Sequence, residues 1–177
     1  MKIKISLGNI EKAIKQVEEY KNSLAQKEHE FLQRLAEIGM AEASARFSTA
    51  RYDGTNDVQV EEPVWIEENK VAVRASGNAV TFIEFGTGVF FNSEGDNHPA
   101  AEKYGFEIGG YGQGRGKNDF WYYKGDPGTH GETPKKASMA KKGLVFTRGN
   151  PQNRCMWEAD KKIRSEILNI AREVFGK

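Results

Sequence analysis

The chain has a single cysteine, Cys155, among its 177 residues. One thiol excludes an intramolecular disulfide framework and fits a reducing compartment. Long apolar runs are missing too. None approaches the roughly 20 residues that a membrane-spanning helix needs, so no membrane partner is expected. The start, Met1-Lys-Ile-Lys-Ile-Ser6, alternates charge with apolar side chains and is unlike a signal peptide. Synthesis in the cytoplasm is the expectation. Net charge is nearly absent at +1, which leaves no global field to recruit nucleic acid or a membrane surface.

What is present fits one domain, residues 1–177, with enough apolar content for a core. Mean hydropathy is low for so short a chain. A loop-rich composition explains that, and so does a core finished by neighbouring subunits. Ile3 and Ile5 alternate with Lys2 and Lys4, the pattern of a short half-buried strand. Asn9 is placed to cap a following helix. Ile10, Ala13, Ile14, Val17, Tyr20 and Leu24 recur at helical steps, and Phe31, Leu32, Leu35, Ile38, Gly39, Ala43 and Phe47 form a second stripe. Between the two, Tyr20 to Lys27 fits either a bend or continuous helix. Arg51-Tyr-Asp-Gly54 ends the helical region.

Val58, Val60, Val64 and Ile66 occupy even positions, and Val71, Val73 and Ala75 alternate after a short polar segment. Such a pair predicts an antiparallel hairpin, with Pro63 placing its first strand at an edge or over a bulge. Residues 86–150 form a long excursion holding 14 of the 19 glycines. Its only strand-like runs are Phe120-Trp-Tyr-Tyr123 and Leu144-Val-Phe-Thr147, and neighbours in an assembly are expected to order it. Asn150-Pro151 has the form of a helix start, and Met156, Ala159, Ile163, Ile167, Ile170 and Val174 mark one face of a last helix. The predicted class is α+β: N- and C-terminal helices packed on a small antiparallel β-sheet, with the glycine-rich excursion.

Catalytic and cofactor motifs fail on inspection. His29-Glu30 opens like a zincin helix, but Gln33 stands where the second His is required. Gly112-Gln-Gly-Arg-Gly-Lys117 suggests a phosphate loop, yet Tyr111 and Asn118 occupy positions that need Gly and Ser or Thr. His98, His130, Glu132 and Asp126 match no metal-ligand spacing, and His98-Pro99 has the look of a turn. Cys155 has no base paired to it in sequence and is expected to be packed and inert. No catalytic residue, metal or cofactor is predicted, and an enzyme is not expected.

One charged surface remains. Residues 111–150 hold eight basic and three acidic residues, interleaved with Tyr111, Phe120, Trp121, Tyr122 and Tyr123. The first 70 residues are mildly acidic, with ten Lys or Arg against thirteen Asp or Glu. Unlike surfaces of this kind meet in head-to-tail packing. The candidate interface is Tyr111, Arg115, Lys117, Trp121, Tyr122, Tyr123 and Arg148. The alternative is a module that binds single-stranded nucleic acid through the basic aromatic loop 111–150.

Phe82-Ile-Glu-Phe-Gly-Thr-Gly88 is the most distinctive segment. Glu84 sits between Ile83 and Phe85, both of which want burial, and a buried carboxylate is costly unless it is paired. Gly86 permits a positive φ, and Thr87 can bond locally. Glu84 is expected either to accept backbone amides in a capping turn or to bridge a subunit boundary to an arginine such as Arg115 or Arg148. With Ala79, the Ile83-Glu-Phe-Gly-Thr87 core resembles the gene-10-like tail-component family of lambdoid phages, in the version found in siphoviruses and prophages of Gram-positive bacteria. Further blocks carry the resemblance along nearly the whole chain: Leu7–Ile14, Tyr52–Gly54, Gly110–Lys117, Trp121–Tyr123, Thr147–Pro151 and Ile170–Phe175. The resemblance implies a non-enzymatic virion protein, a tail-completion or head–tail joining component forming a homo-oligomeric ring at the neck. Its implied partners are further copies of itself and neighbouring connector, tail-terminator or tail-tube proteins, with DNA passing through the lumen without sequence-specific contact.

Overall fold

The computed structural model describes residues 7–92, 97–108, 118–128 and 137–176. The strand expected at Ile3 and Ile5 lies outside them. So do three of the candidate interface residues, Tyr111, Arg115 and Lys117, together with His130 and Glu132.

The fold is α+β. Helix α1 runs unbroken through Leu7–Thr49, about 65 Å of helix at 1.5 Å per residue. There is no bend between Tyr20 and Lys27. The segment is free of proline and rich in Ala, Glu, Lys and Gln, which lose little on entering a helix. Asn9 lies inside α1 and not at its cap. Beyond Thr49 the chain turns, and Asn56 Nδ2 donates to the Phe47 carbonyl at 2.8 Å, satisfying one of the last free acceptors.

The hairpin follows in two pieces. Strands β1 (Gln59–Val60) and β4 (Ala75–Ser76) pair antiparallel, as do β2 (Val64–Glu67) and β3 (Lys70–Ala72). Pro63 stands between the pieces, and Glu61 N–H donates across to the Arg74 carbonyl at 2.9 Å. The even-position pattern does not survive that break. Val58 and Val60 pack on the core, whereas Val64 and Ile66 are exposed and Trp65 turns inward. A bulge between Trp65 and Glu67 leaves Ile66 out of register. Trp65 stacks on His29 at 4.0 Å and donates Nε1–H to Gln33.

Helix α2 (Val80–Phe85) follows, then α3 (Ala101–Tyr104), β5 (Trp121–Lys124), α4 (Ala137–Ala140) and β6 (Leu144–Thr147). β5 and β6 pair antiparallel from Trp121–Thr147 to Lys124–Leu144. Among the described residues the strands form three two-stranded ladders and no continuous sheet. The described parts of the 86–150 excursion are held by the chain itself, through this ladder and through buried Asn92 and His98.

The last helix, α5, spans Cys155–Phe175 and starts later than Asn150-Pro151 suggests. Asn150, Gln152 and Asn153 are bonded to other segments, and Arg154 enters α5 in the left-handed region at φ 53°. α5 lies antiparallel on the second half of α1. One cluster joins Ala43, Phe47, Ala79, Ile83, Cys155 and Ala159, and a second joins Leu35, Ile170 and Val174 with Phe31, Ile38 and Ile163 beside them. Full burial of a side chain such as Ile83 is worth about 1.5–3 kcal/mol. Ile167, on the expected apolar face, is exposed.

Candidate functional site

Helix α5 lacks a side-chain cap of its own. Glu84, on α2, supplies it from 72 residues upstream: Oε2 accepts the Met156 amide at 2.8 Å and Oε1 the Trp157 amide at 3.0 Å. These are the second and third residues of α5, the amides that an N-cap side chain ordinarily satisfies. The helix dipole favours a carboxylate at this end. The backbone reinforces the join, because Asn153 N–H donates to the Ile83 carbonyl and Arg154 N–H to that of Glu84.

His98 completes the node. Its Nε2 lies 3.0 Å from Glu84 Oε1, and its Nδ1 accepts the Ala100 amide at 3.0 Å. An Nδ1 that accepts an N–H carries no proton, so the ring proton sits on Nε2 and points at Glu84. Phe85 meets the imidazole edge-on at 4.5 Å, Trp157 stands 5.7 Å away, and Phe106 stacks on Phe85 at 4.7 Å. Glu84 is only 5% exposed and His98 4%. Both carboxylate oxygens are taken within the chain, by Met156, Trp157 and His98, with no arginine among these partners. Arg148 instead lies over the Phe90 ring at 4.3 Å.

The rest of the motif joins three segments. Thr87 and Asn150 exchange backbone hydrogen bonds of 2.9 and 3.0 Å, and Asn150 Nδ2 donates to Thr87 Oγ1 at 3.0 Å. Gly86, at φ 72°, brings the chain so close to residues 150–152 that a Cβ would stand 2.8 Å from the Asn150 carbonyl oxygen. Buried Asn92 donates to the carbonyls of Gly88 and Asn150 and accepts from Gln152 N–H. Asn153 bonds both ways to the Arg51 backbone. Neither these asparagines nor His98 falls on a periodic pattern in the sequence, because each acts through contacts to segments distant in the chain.

Cys155 opens α5 and is fully buried. Burial, then the nearby Glu84 carboxylate, push its thiol up to about 12. That outweighs the helix terminus, which on its own favours the thiolate. Among the described residues, no three His, Cys, Asp or Glu side chains gather to hold a metal ion. No described helix is long and apolar enough to cross a membrane.

The candidate interface residues separate. Along β5, Trp121 and Tyr123 face an open cleft of about 380 Å³, which Tyr52, Asp53, Phe82, Thr87 and Asp126 also line. Tyr122, one residue out of phase, packs on Phe146 at 5.6 Å. The cleft is acidic. Asp53 accepts from Thr147 Oγ1, and Tyr123 O–H donates to the Asp126 carbonyl at 2.7 Å. Burial, then Asp53, Tyr52 and Asp126, push the Tyr123 phenol up to about 12; burial, Asp57 and Asp53 raise Tyr52. A cleft with aromatic walls and carboxylates suits a basic side chain.

Set beside known proteins, the chain matches no family model, no curated protein and no solved structure.

Proposed function

We propose that this protein is a structural virion component: a tail-completion or head–tail joining subunit that assembles with copies of itself into a ring at the neck–tail junction and performs no catalysis. One observation carries the self-assembly part. The N-terminal half of α1 extends beyond the body with Ile10, Ile14, Val17, Tyr20 and Leu24 exposed, Val17 by 66% and Tyr20 by 70%. A helix that presents an apolar stripe to water gains little from propensity alone; most helical stability in proteins comes from packing such a face. The exposed stripe supports a helix face that another chain covers. The acidic cleft beside β5 adds a surface suited to a basic partner and ill suited to a phosphate backbone, which favours assembly over the nucleic-acid reading.

The neck–tail location rests on the ordered blocks from Leu7–Ile14 to Ile170–Phe175 that resemble the tail-component family. Imaging particles assembled with phage connector and tail-tube proteins tests it. Density for this chain as a ring at the tube end is expected. Tubes and connectors that join normally without it would contradict the placement.

A further inference from the structure

α1 outruns what packs on it. α5 begins beside Ala43 and Phe47, and its Phe175 meets Phe31 at 5.6 Å, where α5 ends. On the N-terminal side, every side chain from Ile10 to Gln26 is exposed. The apolar seam nevertheless continues. Ile38 and Phe31, packed beside Ile170 and Val174, are followed at seven-residue intervals by Leu24, Val17 and Ile10. A seven-residue repeat is the spacing that keeps one helix face against another helix.

The uncovered stripe has a second property. Relative to Val17, the exposed residues Ile10, Ile14, Tyr20 and Leu24 stand at −7, −3, +3 and +7. A set symmetrical about its centre maps onto itself when the helix is turned end over end. An isologous contact makes that demand, because one patch must complement itself. Two such helices laid antiparallel about an axis at Val17 bring Ile10 to Leu24, Ile14 to Tyr20 and Val17 to Val17.

Lys15 and Glu19, two residues either side of Val17, lie about 160° around the helix from it. They pair with each other at 3.9 Å on the outer face, which leaves the seam itself to the apolar side chains. The orientation continues that of α5, which already runs antiparallel on the adjoining stretch of this seam.

We propose that two copies of the chain pair through residues 10–24 of α1, in an antiparallel, two-fold coiled coil centred on Val17. The partner's arm takes up the seam beyond Phe175, and the stripe leaves water. The proposal rests on the self-assembly reading and names its contact. An isologous pair closes on itself, so it joins copies two by two, and a separate contact carries pairs around a ring.

The test uses full-length chains with one added cysteine and a short bismaleimide; buried Cys155 does not compete. V17C is expected to cross-link to itself. I10C is not, because its two copies stand roughly 21 Å apart along the antiparallel axis, 14 residues at 1.5 Å each. A mixture of I10C and L24C is expected to give the mixed dimer. Self-linking of I10C as efficient as that of V17C means a parallel pair and overturns the proposal, as does absence of linking at V17C. Light scattering adds a measure independent of cysteine. Val17→Glu is expected to halve the mass of the assembly, whereas Gln26→Glu, on the opposite face, leaves it unchanged. If Val17→Glu stays at full mass, the arm pair is wrong and self-assembly stands. A wild-type chain that is monomeric at every concentration overturns both.

Discussion

Glu84 Oε2 lies 2.8 Å from the Met156 amide, so a residue of one short helix caps another helix 72 positions later in the chain. Removing that carboxylate leaves two helix amides and the His98 Nε2–H without their acceptor. Glu84→Ala is expected to cost about 2–4 kcal/mol, and Glu84→Gln, which keeps one acceptor oxygen, about half as much. Urea unfolding measures both. Equal stability of Glu84→Ala and wild type would contradict the capping role.

The Ala100 amide donating to His98 Nδ1 fixes the tautomer of a ring buried between Phe85 and Trp157. Nitrogen–proton correlation spectra are expected to show His98 protonated at Nε2 and bare at Nδ1. His98→Ala empties this aromatic slot and is expected to cost about 2–4 kcal/mol, in the range of large-to-small core changes. A proton found on Nδ1 would contradict the arrangement.

Gly149 and Gly143 form a matched pair of tests. Both have positive φ, 85° and 64°, but a Cβ on Gly149 would stand 2.1 Å from the Thr87 carbonyl oxygen, whereas one on Gly143 meets nothing within 4 Å. Gly143→Ala is expected to cost about 1 kcal/mol in backbone strain, and Gly149→Ala several times that. Thermal unfolding of the two variants checks the ranking. Equal losses would mean that the Thr87–Asn150 join is looser than described.

Much of this architecture is legible in the sequence where it depends on period. The stripe from Phe31 to Phe47, the face of α5 and the hairpin around residues 68–69 all follow from spacing. The misses share a cause, which is that a distant contact decided the local form. Asn150-Pro151 looks like a helix start, but Asn150 is held by Thr87 and by Asp53 N–H at 2.6 Å, and α5 waits for Cys155. His98-Pro99 looks like a turn, and nothing local shows that its imidazole faces Glu84. The acidic cleft is hidden by the basic count over residues 111–150, because its carboxylates come from Asp53 and Asp126, far apart in sequence.

Alkaline pH gives a further test. The folded chain holds the Cys155 thiol at about 12 against an ordinary 9.0, because burial disfavours the thiolate. An unfolded chain releases that proton first, so this stabilisation is fully present below pH 9 and is lost as pH rises towards 12. Stability is expected to fall over that window, and less steeply in Cys155→Ala. A thiol reagent at pH 8 should label the native chain only at the rate of unfolding. Rapid labelling of native chain would contradict the burial.

Native mass spectrometry of the chain over a concentration series, alone and with added phage connector and tail-tube proteins, tests self-assembly most directly. The expected result is a discrete, even-numbered oligomer whose subunits have lost the solvent exposure of Val17 and Tyr20. A chain that remains monomeric throughout, with and without those proteins, would contradict the account.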